Sequence, residues 1–210
     1  YASVILVMLM GQTRVFFSMS KDGLLPKVFS SVHPKFQTPV KSNFVFMLFV
    51  SLFAAFIPAR VVGEMTSIGT LFAFILVCIG IMVMRKQMPD APRAFKTPLV
   101  PLIPILGVVT CFFMMAFLPL DTWIRLIVWM IAGFDIYLWY GMRNSKLATG
   151  KLTDDLKIVG ISGLVLALAL GIIAFVHHSQ TDGQDTGLFY FSLVFAVIHA
   201  VLYVATWMKK

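Results

Sequence analysis

Charged side chains are scarce in this sequence of 210 residues. Asp, Glu, Lys and Arg make up 12% of the chain, whereas hydrophobic residues make up 60%. Water-soluble domains carry about 25% charged and about 45–50% apolar residues. This chain has too few polar side chains to cover its apolar surface, so a water-soluble globular fold is excluded.

Cysteine is also nearly absent. Cys78 and Cys111 are the only two, and both lie in strongly apolar stretches, so we interpret them as small buried hydrophobic residues. No CxxC or Cys/His spacing is present, and we expect no metal site and no cofactor. The apolar stretches also lack an HExxH motif, paired aspartates or a Ser/His set, and the chain has no nucleotide-binding motif. We therefore expect neither an enzyme nor an ATP-driven pump.

Long apolar stretches are what the chain does contain. Most span about 16–21 residues, which suits a helix crossing a hydrocarbon core of about 30 Å. Seven are present: Tyr1–Met19, Phe44–Ala59, Met65–Met84, Leu99–Leu118, Trp123–Gly141, Ile158–Val176 and Leu188–Met208. They predict an all-α, polytopic transmembrane helix bundle in a lipid bilayer.

Lys and Arg collect in every second loop between these stretches. When Arg14 and Arg125, which lie near the ends of their stretches, are counted with the adjacent loops, the six connecting segments carry 5, 1, 4, 1, 4 and 0 basic residues in order, and the tail carries 2. Loops rich in basic residues face the cytoplasm, so we expect the chain to start outside the cell membrane and to end inside it, at Lys209 and Lys210. Because the positive charge is spread over short loops, the net charge of +8 indicates topology and attraction to anionic lipids rather than nucleic-acid binding.

The first cytoplasmic loop has a distinctive sequence. Residues Gly11–Pro26 read GQTRVFFSMSKDGLLP and are followed by His33 and the Thr38–Pro39 dipeptide. This segment resembles the one after the eighth helix of amino-acid permeases of the APC superfamily.

Further motifs follow in that family's order over about Val4–Gly141. Met65–Phe74 resembles the tenth helix of the cationic amino acid transporter branch, and Leu99–Gly107 resembles the entry to its eleventh. Asp121–Arg125 and Tyr137–Gly141 resemble its twelfth. The resemblance implies a permease domain over residues 1–141, holding helices 8–12. Residues 142–210 would then add helices 13 and 14, as in the fourteen-helix members of this branch.

Such permeases are similar to the LeuT fold, in which the substrate lies near the midplane between two broken helices. The resemblance implies that this chain is the C-terminal part of that fold, with helices 1–7 preceding it. The absence of an initiator Met before the apolar start at Tyr1 agrees with this expectation.

Helix 8 is the substrate-proximal element that the resemblance places in this chain. Ser3 lies about 22 Å from the cytoplasmic helix end near Ser18, at about 1.5 Å per residue. It is a candidate substrate-binding residue, or it bonds its own helix backbone. Arg14, Lys21 and Asp22 lie at the inner mouth, where they form a candidate cytoplasmic gate. Snorkelling of Arg14 and ordinary loop charge explain them as well.

Besides the basic residues counted with the loops, Asp135 and His199 lie inside apolar stretches, and Glu64 lies at an outer boundary. Ionisable groups at such positions are costly and often functional. Asp135 lies about two turns from the inner end of its helix, and His199 lies near the middle of the last one. A hydrogen bond between the two, or from Asp135 to Tyr137 of a neighbouring copy, is one interpretation. A proton relay is the other.

The function that the resemblance implies is secondary transport of amino acids by alternating access, with protons as the coupling ion. The alternative is a membrane scaffold or regulatory subunit that does not transport. A small-residue stripe at Gly163, Ala167 and Gly171 favours close packing of another helix, within the chain or in a homodimer.

Overall fold

The computed structural model describes residues 2–35, 37–90, 92, 95, 97–146, 152–181 and 185–208. Within these ranges the chain is helical and has no β-strand. Seven long helices follow one another: α1 Ala2–Lys21, α2 Val40–Phe56, α3 Ala59–Gln87, α4 Leu102–Ala116, α5 Leu120–Asn144, α6 Leu152–Gln180 and α7 Thr186–Met208. The predicted all-α fold is confirmed.

Prolines mark where several helices begin. Proline has no backbone N–H and cannot continue a helix that precedes it, but it is tolerated where a helix starts. A short 3₁₀ turn, Lys27–Ser30, and four of the seven helices each begin directly after a proline. These prolines are Pro26, Pro39, Pro58, Pro101 and Pro119.

Five of the helices (α1, α3, α5, α6 and α7) are long and apolar enough to cross a membrane, whereas α2 and α4 have 17 and 15 residues. The predicted stretch Leu99–Leu118 overestimates α4. Pro101 delays its start, and the helix ends at Ala116, shortly before Pro119. Hydropathy measures how apolar a segment is and does not register these backbone breaks.

The described chain divides into two compact units. One holds residues 59–126 and the other holds residues 1–58 with 127–210. In the first, α3 packs on α4 around Ile68, Ile75 and Met115, which are all buried. The indole N–H of Trp123 donates to the Met115 carbonyl oxygen at 3.2 Å. The start of α5 is thereby tied to the end of α4.

In the other unit, α6 and α7 form an antiparallel hairpin. Gly163 lies against the ring of Tyr203 at one end of the pair, and His178 stacks on Phe189 at the other, with ring centroids 4.3 Å apart. Ala167 is buried between them. Two members of the predicted small-residue stripe, Gly163 and Ala167, are therefore buried in this hairpin, where small residues let helix backbones approach.

The same unit contains α1, its following loop and α2. Phe16 of α1 packs edge-on against Phe46 of α2 with centroids 4.7 Å apart, and Phe29 of the 3₁₀ turn lies 5.6 Å from Phe16. Leu25 is buried, and the Ser20 hydroxyl donates to the Pro26 carbonyl oxygen at 2.7 Å. The loop between α1 and α2 is therefore folded onto both helices.

Candidate functional site

Ser3 lies in the first turn of α1 and is exposed. Its neighbours share this exposure, since Val7 and Met8 are 68% and 70% exposed. The N-terminal half of α1 thus packs little against the described residues of this chain. The role of Ser3 in substrate binding stays a prediction.

The three predicted gate residues lie where α1 ends. Arg14 and Lys21 are exposed and Asp22 is half-buried. Among the residues that the structure describes, no ion pair connects any of the three to another side chain. Their gating role stays a prediction.

Backbone contacts join this end of α1 to the end of α5. The Asp22 carbonyl oxygen accepts a hydrogen bond from the N–H of Lys146 at 2.9 Å. Gly23 follows with φ +86°, and a Cβ on it would lie 2.0 Å from the Asn144 carbonyl oxygen. Glycine is required here for two reasons: it adopts positive φ without strain, and it has no Cβ. The Lys-Asp-Gly segment therefore acts as a joint between two helix ends.

A second polar cluster lies in the 59–126 unit, where α3 and α5 begin. Arg125 donates to Glu64 Oε2 at 3.0 Å and to Asp121 Oδ2 at 2.5 Å. Thr122 Oγ1 donates to the same Glu64 oxygen at 3.4 Å, and Arg60 Nε lies 3.6 Å from Glu64 Oε1. The two arginine charges neutralise the two carboxylate charges, and both carboxylate oxygens of Glu64 have partners. This arrangement favours a structural tie between α3 and α5 over a ligand site.

The most connected polar group inside the apolar helices centres on Asp135. His199 Nε2 lies 2.9 Å from Asp135 Oδ2, and the Tyr203 hydroxyl donates to Asp135 Oδ1 at 3.0 Å. His199 Nδ1 lies 2.7 Å from the Phe195 carbonyl oxygen, and Tyr203 Oη lies 3.4 Å from that of Ile131. The structure therefore brings together both predicted relay residues and adds a third. A relay role for them stays a prediction.

This network is well shielded on the α7 side. Tyr203 is 1% exposed, and the His199 side chain is 13% exposed, whereas the Asp135 side chain is 39% exposed. Directly after Asp135 and Ile136, helix α5 changes to a π-helical segment, Tyr137–Gly141. Such segments are rare and often occur at functional sites.

Sequence reasoning missed Tyr203 and the partners of Glu64. Tyr203 lies four residues after His199 and hence on the same helix face. This spacing could have indicated that the two side chains share a partner. Glu64 and Arg125 are 61 positions apart and Asp135 and His199 are 64 apart. No local pattern pairs residues at such separations. Among the described residues, no group of three His, Cys, Asp or Glu side chains could hold a metal ion.

An all-α chain with several membrane-length apolar helices defines a polytopic membrane protein. Residues 1–134 match the family described as amino acid permease. The chain therefore belongs to the amino acid permease family, and the predicted resemblance to APC permeases is confirmed. Its family is one of transporters rather than enzymes, and the protein is a multi-pass membrane protein.

The names of similar proteins agree with this family assignment. The chain is 44% identical over 145 residues to the branched-chain amino acid permease BcaP of Bacillus subtilis, covering 69% of this chain and 31% of that protein. It is 35% identical over 145 residues to the methylthioribose transporter of the same organism, covering 69% of this chain and 32% of that protein. It is 40% identical over 82 residues to the vacuolar cationic amino acid transporter 4 of Arabidopsis thaliana, covering 39% and 14% respectively. The chain thus spans about a third of the length of the first two.

Proposed function

We propose that these helices belong to a secondary transporter that moves amino acids across the cell membrane by alternating access, coupled to protons. The observation that carries the proposal is the match of residues 1–134 to the amino acid permease family, on a chain with five described helices of membrane length. Alternating access follows from the fold that such permeases resemble, in which one bundle rocks against another around a central substrate.

Helix α1 is the part of the chain that we assign to the substrate pathway. The exposure of Ser3, Val7 and Met8 supports this assignment. These side chains make few contacts within the described residues, so this half of the helix is available to pack against other helices or to face a substrate. We propose that the helices carrying the central substrate site precede α1 and pack there. Residues 142–210 then form an additional helical hairpin outside the transport core.

The first substrates to test follow from the relatives. The relative with 44% identity is named for branched-chain amino acids, and others are named for cationic amino acids or for methylthioribose. Amino acids carry a carboxylate and an ammonium group in common, which the free N–H and C=O groups of broken helices can hold. We therefore propose an amino-acid substrate, with leucine tested first.

The decisive experiment measures uptake by the complete permease in proteoliposomes. Labelled leucine, arginine and alanine are compared with and without an inward proton gradient, and unlabelled methylthioribose is added as a competitor. Gradient-dependent uptake of an amino acid is the expected result. No uptake of any of the three by protein shown to be folded would contradict the proposal and favour a scaffold or regulatory subunit.

Two variants test the assignment of α1. Ser3→Ala should lower uptake, because it removes the candidate polar group from the proposed substrate face. Ser18→Ala makes the same change at an exposed position near the cytoplasmic end of the same helix, and it should leave uptake unchanged. Equal effects of the two changes would count against a substrate role for Ser3.

The membrane orientation is also a proposal, with the C-terminus in the cytoplasm. Lys209 and Lys210, which support it by charge, lie outside the described residues. Single cysteines at Lys27 and Gln180, both exposed, can be labelled with an impermeant maleimide in intact cells. We expect the maleimide to label position 180 alone. Labelling of position 27 alone would show that the orientation is the reverse of the one proposed.

A further inference from the structure

Basic side chains gather where the ends of α1 and α5 meet. Lys21 is the last residue of α1, and Arg143 and Lys146 lie at the end of α5. The two helix ends are tied by the hydrogen bond that the Lys146 N–H donates to the Asp22 carbonyl oxygen at 2.9 Å. Consecutive Cα atoms are about 3.8 Å apart, so this tie holds the Cα atoms of Lys21 and Lys146 within about 10 Å of each other.

These basic side chains have no acidic partner within the described chain. All three are exposed, and none forms an ion pair with a residue that the structure describes. Lys27, in the loop between α1 and α2, is exposed and unpaired in the same way. Asp22 is the only acidic residue of the sequence between positions 1 and 63, and positions 137–146 hold none. In the 59–126 unit, by contrast, Arg125 has two carboxylate partners.

The two helix ends do not need these charges for hydrogen bonding. Basic side chains near a helix C-terminus can bond its last carbonyl oxygens. In α1, however, the oxygens of Ser18, Met19 and Ser20 accept from backbone N–H groups just beyond the helix. At the end of α5, the Gly141 oxygen also accepts from a backbone N–H. The positive charges are therefore available to a partner outside the described chain.

Exposed apolar side chains adjoin the charges. Val28 and Val32 in the loop between α1 and α2 are 49% and 41% exposed, and Trp139 near the end of α5 is 81% exposed. Tryptophan is enriched where membrane helices reach the lipid headgroups, because its ring is apolar and its N–H is polar. A partner that carries both a negative charge and apolar chains would match this surface.

A phospholipid with an anionic headgroup has both properties. We propose that the joined ends of α1 and α5 bind an anionic phospholipid, with its phosphate held between Lys21, Arg143 and Lys146. Each Lys or Arg near an anionic membrane surface strengthens binding by about fivefold. Because the lipid contacts both helix ends, it binds the folded protein alone and stabilises it.

The test is thermal unfolding of the complete permease in uncharged detergent micelles, followed by tryptophan fluorescence. Phosphatidylglycerol, phosphatidylcholine with the same acyl chains, and inorganic phosphate are each added in steps. We expect phosphatidylglycerol to raise the unfolding temperature more than phosphatidylcholine does, and inorganic phosphate to leave it unchanged. Equal shifts with the two lipids would overturn recognition of the negative charge. A shift with inorganic phosphate as large as that with phosphatidylglycerol would overturn a lipid as the ligand.

Two matched variants locate the site, and each is compared with its own unfolding temperature in the absence of lipid. Lys146→Gln removes a charge but keeps the tie between the helices, because the backbone N–H of residue 146 makes it. It should raise the mole fraction of phosphatidylglycerol that gives half of the shift by about fivefold. Lys86→Gln makes the same change at an exposed position near the end of α3 and should leave that mole fraction unchanged.

The double variant Lys21→Gln/Lys146→Gln should reduce the difference between the two lipids further than Lys146→Gln alone. Equal responses of Lys146→Gln and Lys86→Gln would overturn the site and leave only a general attraction to negative charge. Because unfolding is measured without transport, failure of the lipid site is distinct from failure of the proposed transport function.

Discussion

Gly163 of α6 lies against the ring of Tyr203, and replacing it with alanine should loosen the α6–α7 hairpin. A Cβ at this position would lie 2.5–2.6 Å from the Cζ, Cε1 and Cε2 atoms of the ring. The ring has little freedom to withdraw, because Tyr203 is 1% exposed and its hydroxyl is bound to Asp135. The added methyl group must therefore displace a side chain that is held at its far end.

The size of the effect follows from three contributions. Forcing a methyl group into a packed interface costs about 1–3 kcal/mol. Turning the ring away would also lose a hydrogen bond that contributes about 0.5–1.5 kcal/mol. The better helix propensity of alanine returns up to about 1 kcal/mol. The net expectation for Gly163→Ala is a destabilisation of about 0.5–3.5 kcal/mol.

Gly171→Ala is the matched control. It makes the same change two turns further along the same helix, where a Cβ would meet no heavy atom within 4 Å. We expect it to be neutral or to stabilise by up to about 1 kcal/mol. Both variants are compared with the wild type by thermal unfolding in detergent micelles. If Gly163→Ala unfolds at the same temperature as Gly171→Ala, the close contact between α6 and Tyr203 is wrong.

Three further predictions concern the other polar contacts. Glu64→Gln should destabilise the protein by about 1–3 kcal/mol, because Arg125 loses a charged acceptor at 3.0 Å. The control Arg60→Gln should destabilise it by less than about 1 kcal/mol, because the Arg60 side chain is 83% exposed. Equal shifts in unfolding temperature would refute the tie between α3 and α5. Gly23→Ala should destabilise the protein by at least about 1–2 kcal/mol because of the positive φ of Gly23, and it should speed limited proteolysis of the loop between α1 and α2. An unchanged cleavage rate would contradict the backbone connection between α1 and α5. Asp22→Lys should slow transport if the charge gates the cytoplasmic mouth, and an unchanged uptake rate in proteoliposomes would leave only the backbone role.

The number and type of the helices could be predicted from the sequence because the bilayer requires about 20 apolar residues for each spanning helix. The ends could not be predicted equally well. Both α3 and α6 have 29 residues and extend beyond the predicted Met65–Met84 and Ile158–Val176. Polar residues at a membrane surface can remain helical, and hydropathy marks only the part of a helix that is apolar. The π-helical segment Tyr137–Gly141 was not predicted, since its side chains read as a continuous apolar helix.

Some residues of the candidate sites could likewise be predicted from the sequence, and others could not. Asp135 and His199 stood out because an ionisable group inside an apolar stretch is costly wherever the chain folds. Tyr203 did not stand out, because a tyrosine side chain is largely apolar and fits the pattern of the helix. Its hydroxyl becomes a candidate site group only when the fold places a hydrogen-bond partner beside it. The approach of Gly23 to the Asn144 carbonyl oxygen could not be predicted either, because it depends on how two helix ends meet in the fold.

The sequence by itself determined that this is a helical membrane protein of the permease type, and it singled out the residues that are expensive to place in an apolar medium. These properties depend on composition and on local pattern, which every segment carries with it. Only the tertiary structure decided that Asp135 meets His199 and Tyr203, and that Glu64 meets Arg125. Those pairings join positions more than 60 residues apart, and a hydrogen bond depends on distances that form only when the helices pack.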